Sequence, residues 1–523
     1  MMIEKSPSRE TGAKPALNPD HVLVFISLLF MIVPVICFLW GWTRPYIALI
    51  GSVALMYLLR SAYRELKQAV QISITSNPKF WLTAFAIISL WCLLSGIGGY
   101  AYQTIDFMAR NPMFHDLCNE AWPLRFSLAA QPGHIQNLFP DATICDFVYY
   151  FSWWLPVAAC VKVFHLPYLV AETLLLLYAT TEVCLIFYCL TNVIKKQSYL
   201  VLSAFMLFGG YDFWITWMGG IPSMMTKGFP EFFINDIEWW TCRFSYSANT
   251  TQLFYVFNSS LPVWMLACLL LLLPKHKNRA ALGSLALAYS PFGTVAFVVI
   301  VLADIFRGAG KAWLTRIKEA VSIQNLVIPL LMLVVYGSFY LQVDLQKSSS
   351  VDGFLFSIYP ERKTFTLYIL FLLVEVWVYF IAIGKNARKL RYYWTTLLGL
   401  SLIPLMKVGW ANDWALKVSP PLLFLLVVII LESYYRETEK RRRYIILSVL
   451  FLGYLTSAME LQRNIYGTLT IEERDCINSF YPSFKYMGSE SEERDTLLAG
   501  QYFAPEDDSF WLKYISPINP AEK

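Results

Sequence analysis

Long apolar runs constrain this chain more than any other feature of its sequence. A helix needs roughly 20 mainly apolar residues to cross the hydrocarbon core of a bilayer, and several runs approach or exceed that length. Only 15% of the 523 residues are charged, whereas soluble domains carry about 25%. The sequence therefore predicts an all-α polytopic membrane protein. The candidate spans are 21–42, 44–60, 80–100, 144–164, 167–191, 198–217, 251–274, 280–303, 322–343, 364–384, 392–409, 414–434 and 444–460.

The positions of Lys and Arg predict how these spans are oriented. Basic residues favour the cytoplasmic ends of short connections. They gather before the first span and in 60–79, 385–391 and 436–443. The regions expected from this pattern are a cytoplasmic tail over 1–20, a transmembrane domain over 21–460, periplasmic loops over 100–143, 218–250, 344–363 and 406–413, and a periplasmic tail over 461–523.

Two runs do not fit a simple alternation of crossing helices. If 144–164 and the next run both crossed, Lys195 and Lys196 would lie outside, so we interpret 144–164 as a re-entrant or membrane-surface segment. The run 280–303 has basic residues on both sides, and Pro291 interrupts it, because proline clashes with the preceding helical turn. We expect a broken hairpin there, with both ends on the cytoplasmic side. The prediction is about 11 full crossings plus re-entrant or half helices.

Ionisable side chains are concentrated in 100–146, between two apolar runs. Asp106 follows the span 80–100, where a carboxylate could accept a proton from a hydroxyl group or hold a metal. A solvated loop acid or a helix cap is the alternative. His115 and Asp116 could form a base and its orienting acid, although adjacent helical residues do not face each other. If the chain performs chemistry, we expect it on the outer side.

Basic and aromatic side chains on the outer loops suit an anionic ligand that carries a sugar. Arg243, Arg362 and Lys407 suit phosphate groups, Arg through bidentate contacts and Lys as a point charge. Anchoring at lipid headgroups is their alternative role. Trp122 could stack on a sugar, although most Trp residues at this depth form the aromatic belt of a membrane protein. The ten cysteines show no CxxC pair and no metal-type spacing.

Several short motifs stand in the outer loops and at the ends of the spans. They are Asp106-Phe107-Met108-Ala109-Arg110-Asn111, Asp116-Leu117, Trp122-Pro123, Ser247-Ala248-Asn249-Thr250-Thr251-Gln252-Leu253 and Asn412-Asp413. These motifs resemble a group of bacterial GT-C-like membrane proteins. The GT-C class consists of integral-membrane glycosyltransferases that use lipid-linked sugar donors, and its long first outer loop carries an essential acid and amphipathic helices. Here two extra spans precede that loop, and the loop lacks the paired acids of metal-dependent members.

The resemblance implies a function and a set of roles. The reaction would transfer a sugar from polyprenyl phosphate to a glycan, lipid or protein acceptor on the periplasmic side of a bacterial inner membrane. The resemblance implies no cofactor, leaves a divalent cation open, and involves the lipid bilayer but no nucleic acid. The implied roles are catalytic for Asp106, Asp116 and His115, donor-phosphate binding for Arg243, Arg362 and Lys407, and substrate binding for Arg110, Trp122 and Asp413.

Two other functions stay open at this point. An O-antigen-type glycan polymerase or ligase would use Arg and His on a large outer loop and would need no acid in the first loop. A lipid or glycan flippase or another transporter would place ionisable residues at mid-membrane. The middle parts of the spans are nearly free of charge, with Glu172, Glu182 and Glu375 as the exceptions.

Overall fold

The computed structural model describes residues 18–127, 142–218, 237–307, 312–343, 352–409, 412–470, 483, 502–505 and 509–518. These residues are mostly helical. Helices α1 to α9 are Pro19–Trp42, Pro45–Ala69, Pro78–Leu94, Phe107–Asn119, Ser152–Phe164, Tyr168–Ile194, Tyr199–Leu207, Asp212–Met218 and Asn249–Leu272. Helices α10 to α18 are Arg279–Ala288, Pro291–Phe306, Ala312–Ala320, Ile323–Tyr340, Leu355–Ile358, Arg362–Ile383, Tyr393–Leu405, Asp413–Arg436 and Lys440–Thr470. Strands β1 to β5 are Arg125–Ser127, Ile144–Phe147, Gly353–Phe354, Met406–Lys407 and Phe503–Pro505.

Seven helices in the described part of the chain are long and apolar enough to cross a membrane, namely α1, α2, α6, α9, α13, α15 and α18. An eighth span arises if α7 and α8 count as one, since a bend of 55° joins them. The chain is therefore a multi-pass membrane protein, but the predicted count of about 11 crossings is not confirmed. The difference arises partly because α3, α5 and α16 match predicted spans but have only 10–17 residues.

The segment 144–164, expected to be re-entrant or to lie at the membrane surface, does not form a crossing helix. Its first residues form β2, and α5 is too short to cross, since about 20 Å of helix cannot span a core of about 30 Å. Trp153 and Trp154 are fully buried, not placed at the membrane surface. The Trp153 indole donates a hydrogen bond of 2.7 Å to Glu182 of α6. These aromatic rings therefore pack in the protein core.

Helices α10 and α11 form the predicted broken hairpin. Arg279 at the start of α10 forms an ion pair with Asp304 near the end of α11, so the two ends lie together. A Cβ placed on Gly283 would lie 3.5 Å from the Phe297 Cβ, which shows that the two arms pack side by side. The Ser290 hydroxyl caps α11 by accepting the Gly293 N–H at 3.1 Å. The prediction of a hairpin in place of one crossing helix is confirmed.

Side chains from other helices donate hydrogen bonds to the backbone carbonyl groups in the last turn of α7 and in the unwound connection between α7 and α8. The Asn249 amide donates to the Phe205 carbonyl at 2.7 Å, and the Thr250 hydroxyl donates to the Met206 carbonyl at 3.0 Å. The Thr456 hydroxyl donates to the Gly210 carbonyl at 2.9 Å. Irregular backbone at membrane depth requires such partners. Asn249 and Thr250 belong to the motif 247–253, and their observed contacts are structural.

A three-stranded antiparallel sheet joins distant parts of the chain, with strand order β1–β2–β5. Phe126 of β1 pairs with Cys145 of β2, and Cys145 pairs in turn with Pro505 of β5. The described parts of the first outer loop and of the carboxyl-terminal tail therefore lie on the same face of the bundle. The rest of 461–523 beyond α18 is largely outside the described residues, as is most of 218–250.

The basic connections meet at one end of the helix bundle, which we call the basic face. The Asn192 side chain accepts the N–H groups of Gln71 and Ile72 at 2.9 and 2.8 Å. Asn278 donates to Glu65 at 2.7 Å. These contacts bring together the connections after α2, α6 and α9, whose basic residues predict the cytoplasmic side. The end at which α1 finishes and the sheet lies is the opposite face.

Candidate functional site

A group of charged and tyrosine side chains meets on the opposite face, and we call it the Asp106 cluster. It combines residues from the first outer loop, the start of α17 and the carboxyl-terminal tail. Its members are Asp106, Arg110, Tyr149, Tyr150, Asp413, Lys417 and Tyr502.

Asp106 and Arg110 stand at the start of α4 and form an ion pair. The Arg110 Nη2 lies 2.9 Å from the Asp106 Oδ2, and the Asp106 side chain is 41% exposed. Arg110 is buried against the ring of Phe257, 5.2 Å from its centroid. Its Nη1 atom has no hydrogen-bond partner among the described residues. The pair therefore offers an accessible carboxylate beside a guanidinium group that retains one free donor.

Tight turns after α3 place this pair at the end of the bundle. Gly98 has φ of +80°, a conformation that side chains with a Cβ rarely adopt. A Cβ there would lie 2.7 Å from the Glu172 carbonyl of α6, so the chain turns in direct contact with that helix. Residues 100–106 then lead back across the face into α4.

Asp413 and Lys417 form a second ion pair, one turn apart on α17. Their Oδ1 and Nζ atoms are 2.5 Å apart. The Lys417 ammonium group also lies 5.1 Å from the centroid of the Tyr150 ring. The Gly293 backbone, at the start of α11, packs against the Lys417 carbonyl. The hairpin of α10 and α11 therefore packs against the backbone of α17 at Lys417.

Three half-buried tyrosines connect the two ion pairs. The rings of Tyr149 and Tyr150 have centroids 3.9 Å apart, and those of Tyr149 and Tyr502 are 5.0 Å apart. Burial raises the pKa of Tyr149 and Tyr150 well above the usual value, and the Asp413 carboxylate adds to the rise for Tyr150. Burial and Tyr149 likewise raise the pKa of Tyr502. All three hydroxyls are therefore protonated at neutral pH and can donate hydrogen bonds.

A small pocket, with room for about one water molecule, borders Arg110 on the side of α6. The Asn111 amide donates to the Gln103 side chain at 2.7 Å on its wall. Polar groups thus line part of this space, next to the free donor of Arg110. The lining residues are Gly98, Gln103, Phe107, Arg110, Asn111, Phe114, Trp154, Tyr168, Glu172, Leu175 and Phe257.

Three predicted site residues of the first loop are not members of this cluster, and their side chains make contacts within the fold. His115 follows Asp106 by nine positions, which places it about half a turn around α4 at 3.6 residues per turn. It packs edge-on against Tyr168, with ring centroids 5.1 Å apart. Asp116 is buried, and the His115 Nδ1 lies 3.8 Å from its carboxylate. Trp122 packs on Trp42 with centroids 5.1 Å apart and donates to the Leu117 carbonyl.

The predicted phosphate-binding residues have distinct surroundings. Arg243 bonds to the Thr364 hydroxyl, pairs with Glu361 at 3.2 Å and lies over the Tyr359 ring at 4.6 Å. Arg362 is exposed at the first position of α15. Lys407 is buried and donates to the Gly409 carbonyl at 3.1 Å, four residues before Asp413. Of the three, Lys407 lies nearest in the chain to the Asp106 cluster.

Three buried acids near the bend between α7 and α8 form a group that sequence reasoning did not assemble. Glu375, near the middle of α15, is hydrogen-bonded to Asp212 and interacts electrostatically with Glu238. A Cβ on Gly210 would lie only 1.6 Å from Glu375 Oε2, so a larger residue there would have to displace the Glu375 carboxylate. Asp212 also accepts the Trp240 indole N–H at 2.9 Å. The sequence signal that could have identified this group is that two of its acids, Asp212 and Glu375, lie inside predicted spans.

The described residues contain no group of three or more His, Cys, Asp or Glu side chains arranged to hold a metal ion. The chemistry that the Asp106 cluster offers comes from its own side chains. Two carboxylates can accept protons or orient hydroxyls, while two cations and three hydroxyls can stabilise an anion.

Comparison of the chain with family models, curated proteins and solved structures finds no match.

Proposed function

We propose that this chain is a membrane glycosyltransferase of GT-C type. It would transfer a sugar from a polyprenyl-phosphate donor to a glycan, lipid or protein acceptor. The observation that carries the proposal is the Asp106 cluster at the end of an apolar bundle. In it an accessible carboxylate pairs with Arg110, and a second ion pair, of Asp413 with Lys417, lies beside the tyrosines of the same cluster. The basic face would be cytoplasmic, which puts the cluster on the outer side of a bacterial inner membrane.

Asp106 would act as the general base or would orient the acceptor. It would take the proton of an acceptor hydroxyl while that oxygen forms a bond to the anomeric carbon of the donor sugar. The bond from that carbon to the phosphate oxygen breaks, and polyprenyl phosphate leaves with the electron pair. The 41% exposure of the Asp106 side chain supports this role, because an acceptor must reach the carboxylate.

The leaving phosphate would be stabilised by Lys417 and by the free donor of Arg110. Charge-assisted hydrogen bonds to phosphate are shorter and stronger than neutral ones. Lys407 would contribute from its nearby position, whereas Arg243 already pairs with Glu361. Asp413 would hold Lys417 in place through their ion pair. The polyprenyl chain would lie along the apolar helices below the cluster.

The test begins with deletion of the gene and mass spectrometry of lipid-linked sugars and surface glycans. We expect one lipid-linked donor to accumulate and one glycan, lipid or protein to lose a sugar. The wild-type chain should restore the product, whereas Asp106→Asn should lower turnover by roughly 10²–10⁴-fold, the usual loss for a positioned general base. Glu120→Gln, at an exposed acid of the same loop, is the matched control. Full restoration by a well-folded Asp106→Asn protein would remove Asp106 from the mechanism.

A second candidate, a cation- or proton-coupled transporter, is favoured by Asp212 and Glu375. Transporters bind coupling ions at broken helices near the bilayer midplane, and these two acids meet beside the bend between α7 and α8. The same deletion separates the candidates. A transporter's loss would change where a lipid-linked sugar or solute accumulates, while sugar transfer in detergent-solubilised membranes would stay intact.

A further inference from the structure

Helix α12 lies on the surface of the protein, beside the start of a membrane-spanning helix. None of the residues Ala312–Ala320 is buried. The Ser322 backbone is extended, so α12 does not continue into the membrane-spanning helix α13, which begins at Ile323. Ile323 follows Ala320 by three positions, which reach at most about 10 Å. Helix α12 therefore lies close to the depth of the lipid headgroups.

Hydrogen bonds to neighbouring elements fix α12 on the basic face. The Arg316 guanidinium group donates to the Ile305 carbonyl, in the last turn of α11, at 3.2 Å. The Asn325 amide of α13 donates to the Ala320 carbonyl at 2.9 Å and to the His276 carbonyl at 2.8 Å. Asn325 thus joins the end of α12 to the connection between α9 and α10. These bonds set which side of α12 faces away from the protein.

One side of α12 is apolar and exposed. Trp313 and Leu314 are exposed, as is Val321 directly after the helix. At 3.6 residues per turn, the three side chains fall within about 100° of the helix circumference. Trp313 also packs on the exposed Phe306 at the end of α11, with ring centroids 6.1 Å apart. Trp, Phe and Leu are typical of the apolar side of helices that lie in the membrane interface.

The apolar side of α12 adjoins the lipid-facing side of α13. Ile323, Leu326 and Leu330 are exposed and recur along α13 at helical spacing. Because α13 is long and apolar enough to cross a membrane, this side of it contacts lipid tails. Val321 lies two residues before that side begins. The exposed apolar residues of α12 therefore border the same lipids.

Exposed cations lie beside this apolar side. Lys318 stands in the last turn of α12, and Glu319 is the exposed acid next to it. The Ser322 hydroxyl donates to the Lys277 carbonyl at 2.6 Å, which brings the exposed Lys275 and Lys277 to the end of α12. Each Lys or Arg near a membrane surface raises the affinity for anionic lipid by about fivefold. The charge of this surface therefore complements an anionic headgroup.

We propose that α12 and the three lysines form a binding site for anionic phospholipids of the bilayer leaflet on the basic face. We call it the α12 lipid site. The ammonium groups of Lys275, Lys277 and Lys318 contact the headgroup phosphate, while Trp313 and Leu314 lie among the first carbons of the acyl chains. The site is at the other end of the bundle from the Asp106 cluster, and it does not depend on sugar transfer.

The first experiment measures lipid binding to the full-length protein in detergent by native mass spectrometry. The protein is titrated with phosphatidylglycerol and with phosphatidylcholine of the same acyl chains. We expect the tightest phosphatidylglycerol site to bind at least tenfold more tightly than phosphatidylcholine. The triple variant Lys275→Gln/Lys277→Gln/Lys318→Gln should weaken that site by up to about 100-fold, at about fivefold for each cation. Its affinity for phosphatidylcholine should stay within twofold of wild type.

The matched control removes the same charge from three exposed cations at the start of α18. It is the triple variant Lys440→Gln/Arg441→Gln/Arg443→Gln. Phosphatidylglycerol binding by this control should stay within threefold of wild type. An equal loss in the two triple variants would overturn the inference, because only the net charge of the protein would then matter. Equal affinity of the wild type for the two lipids would also overturn it.

A second experiment locates the lipid on α12. Hydrogen exchange of the peptide that contains 312–321 is followed by mass spectrometry, with the full-length protein in nanodiscs of phosphatidylcholine with or without phosphatidylglycerol. Phosphatidylglycerol should slow this exchange at least fivefold in the wild type and not in the triple lysine variant. Inorganic phosphate, added to phosphatidylcholine nanodiscs, should not slow it, since a free anion leaves the apolar side uncovered.

Two results of this second experiment would contradict the α12 lipid site. Exchange that is the same in both kinds of nanodisc would show that anionic lipid does not cover α12. Equal protection by inorganic phosphate would show an anion site without a lipid. Neither result would bear on the proposed sugar transfer, which the Asp106→Asn variant tests separately.

Discussion

Two of the clusters of charged side chains in the described part of the chain lie at opposite ends of the bundle, and they differ in how fully their members are paired. On the basic face, Asp304 is buried and contacts Arg279, Arg391 and His276, which together form the Asp304 cluster. Arg279 also donates to the Leu273 and Lys275 carbonyls. On the opposite face, Asp106 is 41% exposed and Arg110 keeps a free donor.

We interpret this difference as one between a structural role for the Asp304 cluster and the proposed chemical role of the Asp106 cluster. The Asp304 cluster closes the hairpin of α10 and α11, and its acid contacts only groups that hold the fold together. The Asp106 cluster leaves an accessible carboxylate beside the Arg110 Nη1 donor, which has no partner among the described residues. Density of charge alone therefore does not identify a site in a membrane protein, whereas access and incomplete pairing do.

The largest effect is expected from Asp304→Asn, which should destabilise the fold by about 3–5 kcal/mol. Removing one partner of a buried ion pair leaves the other charges uncompensated, here on Arg279 and Arg391. Thermal unfolding of the purified protein in detergent measures the loss. The control Glu432→Gln, in a surface pair with Arg436, should cost less than about 1 kcal/mol. Equal losses of stability in the two variants would contradict the expected difference between buried and surface ion pairs.

A smaller effect, on activity alone, is expected from Arg110→Gln. We expect sugar transfer to fall by about 10- to 100-fold, the range for losing a hydrogen bond to a charged group. The unfolding temperature should fall less than in Asp304→Asn, because water can solvate Asp106 once it is unpaired. Lys162→Gln, at a cation on the same face that lies over Trp122, should leave transfer unchanged. A large loss of stability in Arg110→Gln would instead make this pair structural.

The smallest effect is expected from His115→Ala. His115 lies on the side of α4 away from Asp106 and packs on Tyr168. Transfer should stay within twofold of wild type, and the unfolding free energy should fall by no more than about 1 kcal/mol. A drop in transfer of 100-fold, measured with the Asp106→Asn assay, would show that His115 reaches the reacting groups.

Much of the fold can be predicted from the sequence because a membrane limits the structures that a spanning chain can adopt. The run 21–42 predicted α1 to within two residues, and basic flanks around Pro291 predicted the hairpin of α10 and α11. The helix bend at Phe208–Tyr211 was missed. The carbonyl groups in and just before this bend accept hydrogen bonds from Asn249, Thr250 and Thr456, which lie far away in sequence.

The candidate site could be predicted only for those residues that lie close to one another in the sequence. Asp106 and Asp413 stood out as acids on outer loops, and the spacing from Asp413 to Lys417 could have indicated an ion pair one turn apart. Tyr149 and Tyr150 resembled membrane-surface tyrosines, and nothing in the sequence linked them to Tyr502. Asp304 was also missed, although an acid inside an apolar run requires a partner.

The pairing of β2 with β5 has a consequence for how the protein is made. Cys145 pairs with Pro505, which the ribosome adds 360 residues later. At roughly 5–20 residues per second, about 20–70 s of synthesis separate the two partners. Throughout that interval a nascent chain already inserted in the membrane has Asp106 and Arg110 but no Tyr502. The Asp106 cluster is therefore completed only after the tail has been synthesised, so a truncated or stalled chain would carry an incomplete cluster.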